Sequence, residues 1–174
     1  MPSPDAIDEQ FADAANRAMS TAVELARVLI GAHQAAMTVI VQGDWSTARK
    51  YFSLSEKYAA WSNYKTPAVG VGTHAWFLQH NEPVRFTQSE LETHPAWIGF
   101  GTEVGKHPPM NGWLAAPIVD PEGTNWGLFQ LSDKYEGDFT EEDERQFLKL
   151  AELVCITLEA LWETRNLRKA QSGA

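Results

Sequence analysis

The segment from Gly112 to Leu161 constrains the fold of this chain more than any other. GWLAAPIVD and NWGLFQLSDK, two apolar-rich runs, flank Asp120-Pro121-Glu122-Gly123-Thr124, with Pro and Gly where a tight reversal wants them. The pattern predicts strand, turn, strand. Thr140 then precedes Glu141, Glu142 and Asp143, with Asp143 at the third helical position, a variant of the capping box that offers acceptors to unpaired N–H groups. Behind it Phe147, Leu150, Ala151, Val154, Leu158 and Leu161 recur at threes and fours, which predicts a long helix over about 140–168. An antiparallel pair that delivers the chain into an amphipathic helix calls for a sheet with a helical layer, α+β in class.

The rest of the chain agrees with that architecture. Phe11, Ala15, Ala18, Ala22, Leu25 and Leu29 form a helical stripe within 6–31, which Gly31 closes. Its alanine-rich first half suits close packing against another helix better than anchoring a core. AAMTVIVQ, residues 35–42, and Trp45 to Leu54 read as a hairpin across Gly43-Asp44. Between Ser55 and Met110 glycines and prolines punctuate the chain; within it THAWFLQHN carries one or two helical turns, VRFT is a short strand, and Gln88 to His94 adds another turn. With 174 residues, 44% apolar and 21% charged, one folded domain over 1–174 is expected, with its core at about 35–139.

Charge and composition exclude several functions. A net charge of −9 repels phosphate backbones and anionic membrane faces, which argues against nucleic acid and membrane partners. No apolar run approaches the roughly 18 residues that cross a bilayer, and MPSPDAIDEQ lacks a secretory pattern, so a cytoplasmic location is expected. One cysteine, Cys155, permits neither an internal disulfide nor a CxxC pair. The five histidines form no zinc-binding spacing, so no metal site is expected. No nucleophile elbow, phosphate-binding loop or kinase element occurs, and the chain is expected not to catalyse.

HPPMNGWLAAPIVDPEGTNWGLFQLSDKYEGDFTEEDERQFLKLAELVCITLEAL, from His107 to Leu161, resembles a GAF domain, the small-molecule-sensing and dimerising module of signalling proteins, and the likeness extends over roughly 20–162. THAWFLQHNEPVRFTQSELETHPAWIGFG resembles the variable middle of GAF modules in bacterial sensor histidine kinases. The resemblance implies a PAS-like fold: a central antiparallel sheet, N- and C-terminal helices on one face, loops and short helices over the other. Cyclic-nucleotide GAF domains carry Asn-Lys, then Phe, three residues, Asp and Glu. Here Asp133-Lys134, Phe139, Asp143 and Glu144 stand in that pattern, with Asp133 as the departure. By resemblance, Lys134 and Asp143 form a structural ion pair that ties the last strand to the last helix, a role that needs no nucleotide.

The same resemblance sets a ligand between the sheet and the middle segment. Seven tryptophans in one such chain are many, and aromatic walls with a few polar groups suit a small-molecule pocket. The candidate lining is Trp76, His80, Trp97, Phe100, His107, Met110, Trp113 and Phe129, with alternate residues of 114–118 and 128–131 as floor, either set being open to choice. The competing reading is that these rings only fill space. His107 in HPPM also resembles the proximal ligand of haem-binding GAF domains, but Gln130 stands near the place of their distal tyrosine, which weakens haem as a cofactor. Cys155, beside the apolar stripe of the last helix, reads as a small hydrophobe and lies away from bilin attachment motifs.

The function so implied is a sensory input module of a two-component sensor histidine kinase, with an unidentified small-molecule ligand, a homodimer through the terminal helices and an effector kinase domain as partner. The alternatives are a ligand-free dimerisation or linker GAF domain and a haem or redox sensor through His107. A sulfoxide reductase would want reactive cysteines, and Cys155 stands alone.

Overall fold

The computed structural model describes residues 3–63, 73–99 and 108–173. Helix α1 (Pro4–Ile30) starts at Ser3, whose side chain accepts from the Ala6 N–H, and ends on left-handed Gly31. Strands β1 (Ala32–Val41) and β2 (Asp44–Leu54) follow as a hairpin. Its two-residue turn, Gln42 at φ 48 and Gly43 at φ 78, has the positive φ pair that matches strand twist. A 3-10 turn at Glu56–Trp61, helix α2 (Thr73–His80), strand β3 (Val84–Phe86) and helix α3 (Gln88–Thr93) make up the middle. Strands β4 (Trp113–Val119) and β5 (Asn125–Lys134) and helix α4 (Glu141–Ser172) complete the chain.

The five strands form one antiparallel sheet in the order β2-β1-β5-β4-β3. The fold is α+β, with α1 and α4 on one face and α2 and α3 on the other. Tyr51, Met37, Phe129 and Ala116 stand opposite one another across β2, β1, β5 and β4 and are buried in the core shared with Val23, Phe147, Val154 and Leu158 of the terminal helices. Their sequence neighbours point to the opposite face, because strand side chains alternate.

Two local devices launch α4. Thr140 and Asp143 form a reciprocal capping box, and Glu141, Glu142 and Glu144 put further negative charge at the positive end of the helix dipole. Its distal end pairs with α1: Arg165 and Lys169 reach Asp8 at 2.6 and 2.7 Å, and Phe11 meets Trp162 edge-on at 5.4 Å. The helices therefore run antiparallel, with Ala18 and Ala22 of α1 packed against the core cluster and Ala15 buried.

The α1 stripe needs one correction. Leu25 and Leu29, expected to be buried, are 43% and 61% exposed, while Met19, Val23, Ala26 and Ile30 are sealed. Both sets recur at threes and fours and lie one residue, about 100°, apart on the helix, so periodicity alone could not choose between them. Among the described residues no helix is long and apolar enough to cross a membrane.

Gly127, at φ 138, packs so closely on β1 that a Cβ would fall 1.9 Å from the Thr38 carbonyl oxygen. Gly127→Ala should destabilise the fold by about 3 kcal/mol or more, read as a lowered urea midpoint. A loss under about 1 kcal/mol would show that the backbone there yields.

Candidate functional site

On the face away from α1 and α4, two rows of paired residues cross the sheet: Lys50, Thr38, Leu128 and Pro117, then Phe52, Ala36, Gln130, Ala115 and Val84. This settles which alternate set forms the floor: Ala115 and Pro117 of β4 with Leu128 and Gln130 of β5. Ala36, Thr38, Pro117 and Gln130 are only half-buried although their strands have neighbours on both sides. On the opposite face of these strands Met37, Ala116 and Phe129 are at most 1% exposed.

An aromatic wall rises over β4 and β3. Phe77 of α2, Leu91 of α3, Val84, Trp113, Ala115 and Leu128 form a buried cluster, flanked by Trp76, Phe86, Trp97 and Met110. Phe77 meets Trp113 edge-on at 5.7 Å; Trp76 stacks on His80 at 4.2 Å and takes the edge of His94 at 4.6 Å. The Trp113 indole N–H donates to Gln130 Oε1 at 2.8 Å, which joins the wall to the floor and sets the orientation of the Gln130 amide. Thr87 and Glu90 cap α3 reciprocally and so place Leu91 beneath the wall.

Of the predicted lining, Trp76, Trp97, Met110 and Trp113 come together here, and exposed His80 lies at the rim on Trp76. Phe129 does not belong to the set. It faces the helices and packs on Phe147 at 4.6 Å, because it has the parity of Leu131 and not that of Leu128 and Gln130. Phe100 and His107 lie outside the described residues. Sequence reasoning missed Phe77, Phe86, Leu91, Thr38 and Lys50; the alternation of the hairpin was the available signal for the last two.

Two open clefts lie elsewhere, one of about 410 Å³ between Trp126 and the distal third of α4, the other of about 540 Å³ along α1 at Gln10 to Arg17. Cys155 is 3% exposed. Burial, with Glu159 and Asp120 nearby, pushes its thiol up to about 12, so it carries little thiolate at neutral pH. Asp120, Glu122 and Glu159 bring carboxylate oxygens within 4.8 Å of one another. That all-oxygen set lacks the nitrogen and sulfur donors of a zinc site.

The family model described as GAF domain matches residues 5–159. The chain belongs to the GAF domain family. Solved GAF structures share its fold: the cyanobacteriochrome TePixJ GAF domain has a TM-score of 0.62 at 15% identity, covering 82% of this chain and 87% of that one. The GAF domain of a phosphoenolpyruvate-protein phosphotransferase from Coxiella burnetii gives 0.59 at 19% identity, covering 92% and 95%. A type II free methionine-R-sulfoxide reductase from Thermoplasma acidophilum gives 0.62 at 15% identity, covering 87% and 96%. No curated protein sequence matches the chain significantly.

Within this GAF domain Lys134 and Asp143 pair as the motif implied, and the same carboxylate accepts from the Thr140 N–H and hydroxyl. Asp133, the departure, has its own cation. Its carboxylate, 2% exposed, accepts from Lys57 Nζ at 2.5 Å, the Tyr58 hydroxyl at 2.5 Å and Asn111 Nδ2 at 3.1 Å. One side chain thereby ties the 3-10 turn, the entry to β4 and the end of β5 together. Asp133 adopts φ 58, a left-handed conformation that Asp tolerates better than most residues.

Burial pushes the Asp133 carboxyl upward, but the hydrogen bonds from Lys57, Tyr58 and Asn111 outweigh it and hold the group below the ordinary range. Asp143 behaves alike, burial being outweighed by Lys134 and Thr140. A carboxyl lowered on folding adds stability above its unfolded value, about pH 4, and loses it as pH falls through the folded value. Asp133→Asn should therefore cost about 2 kcal/mol at pH 7, given the half-exposed Lys57, and flatten the acid limb of the stability profile below pH 4. Denaturant titrations from pH 2 to 7 read this; an unchanged acid slope would mean that Asp133 is not ionised in the fold.

Proposed function

We propose that this GAF domain is a cytoplasmic sensory module in which a small molecule, seated between the aromatic wall and the loop-side floor, biases the packing of α1 against α4. The observation that carries the reading is the sheet itself. Leu128 and Gln130 face the candidate site while Phe129, between them, packs on Phe147 of α4. A ligand with different affinity for two arrangements of the floor would shift the helix pair in proportion to that difference. The middle segment's resemblance supports a sensor histidine kinase as the effector, in a longer chain or in trans. Photoreception and sulfoxide reduction belong to the neighbours named above; the inert setting of Cys155 supports a non-catalytic role here.

Signalling would run through a homodimer. Leu153, Ile156 and Leu167 on the outer side of α4 are 57%, 55% and 58% exposed, and Leu25, Val28 and Leu29 expose a second apolar patch on α1. Leu153, Ile156, Ala160 and Leu167 follow three-, four- and seven-residue spacings, the periodicity of a helix–helix seam. The tight packing of Phe77 and Trp113, 0% and 1% exposed, favours a second reading, a dimerisation element whose site is filled by its own rings.

Light scattering at micromolar concentration should give a dimer, and Ile156→Glu with Leu153→Glu a monomer of unchanged circular dichroism; a monomeric wild type would end the dimer proposal. A thermal-shift screen of metabolites separates the two readings. A ligand at about 100 times its Kd adds about 2.7 kcal/mol, roughly 5 to 10 °C in Tm. No hit favours the dimerisation element.

A further inference from the structure

His33 stands where three segments of the chain meet. Its carbonyl accepts from the Ser55 N–H at 2.9 Å, and its ring Nδ1 lies 2.7 Å from the Ser55 hydroxyl, so backbone and ring together fasten the start of the 3-10 turn Glu56–Trp61. The ring is half-buried between Tyr135 at 4.6 Å and Tyr58 at 6.1 Å. Each neighbouring element brings a charged or titratable group to this corner. From α1 comes Arg27, which donates to Ser53 Oγ of β2 at 2.8 Å and to the Tyr135 hydroxyl at 3.2 Å. The 3-10 turn supplies Lys57 and Tyr58, and the end of β5 supplies Asp133.

An imidazolium here would meet two cations, while the carboxylate that could welcome it already accepts from Lys57, Tyr58 and Asn111. We propose that His33 is a proton-operated latch: neutral, it holds the 3-10 turn to the sheet; protonated, it competes with Lys57 for Asp133 and loosens that turn. Histidine suits the task because its charge changes close to neutral pH. Burial, with Lys57 and Arg27, outweighs the pull of Asp133 and holds the ring below the ordinary imidazole range. An imidazole lowered on folding takes its proton first in the unfolded chain, so stability falls as pH drops below about 6.5 and levels off once the folded ring is charged too. That window lies above the one in which the carboxylates act. Asn111 shares the Asp133 carboxylate and follows Met110, which flanks the aromatic wall. Under the sensory reading acid would thereby retune the candidate site; the latch itself needs no ligand.

The test is a titration of the 174-residue chain from about pH 8 to 5, followed by NMR of the histidine rings and backbone amides, with His33→Asn identifying the His33 signal. His33 should titrate below an ordinary imidazole, about 6.5, and the amides of residues 56–61 should shift with the same midpoint. At the acid end their hydrogen exchange should be at least about tenfold faster than in His33→Asn. Lys57→Met removes one cation and frees the carboxylate, so it should move the midpoint upward. A His33 midpoint at or above the ordinary value, amides of 56–61 that do not follow it, or a midpoint that Lys57→Met leaves in place each overturns the latch. None of these outcomes bears on the metabolite screen, so their failure leaves the ligand reading standing. Should either variant fail to fold, the wild-type titration, assigned through the backbone, decides.

Discussion

Met37, Phe129 and Ala116 lie side by side across three neighbouring strands, sealed beneath α1 and α4, and burying a side chain the size of Met37 or Phe129 contributes on the order of 1.5 to 3 kcal/mol. Because a strand alternates its side chains with a period of two, sealing one set commits the other to the opposite side. Thr38, Leu128 and Pro117 have no freedom left: they must form a second surface, and α2 and α3 cover only its β4 and β3 end. The helical core and the candidate site are two consequences of a single register. A slip by one residue in β5 would exchange Phe129 with Gln130 and ruin both together.

Local chemistry made much of this readable in advance. Pro121 and Gly123 mark the β4–β5 turn, and Thr140 with Asp143 marks the start of α4, because each signal acts on backbone groups within a few residues. Where two answers satisfied the same local rule, the choice lay in tertiary packing. The stripe through Leu25 and Leu29 and the stripe through Ala26 and Ile30 are equally helical, and only the sheet beneath α1 selects the set with Met19, Val23, Ala26 and Ile30. Phe129 failed for the same reason in strand form: alternation defines two sets but not which one meets the helices. The pairing of Asp133 with Lys57 and Tyr58 spans 76 and 75 residues, beyond any local pattern.

That long-range cluster also accounts for the motif's departure. An aspartate in place of the family's asparagine buries a charge, and an isolated buried carboxylate would be costly. Lys57 supplies the opposite charge, and Tyr58 and Asn111 supply two further donors, so both carboxylate oxygens of Asp133 are hydrogen-bonded. Back to back with it, Lys134 holds Asp143. Two adjacent residues at the end of β5 thus fasten the chain in opposite directions, one to the segments that border the candidate site and one to the first turn of α4.

The antiparallel course of α1 and α4 has a further consequence. Asp8, a few residues into the first helix, touches Lys169, a few residues before the end of the last one. The polypeptide enters and leaves through one doorway. A domain wired this way can be spliced into a surface loop of a host protein as a cassette, since its two ends need no spacer to meet. Any host joined at that doorway would grip both helices at once, and a twist of one against the other would reach it as a change in the separation of its own two attachment points.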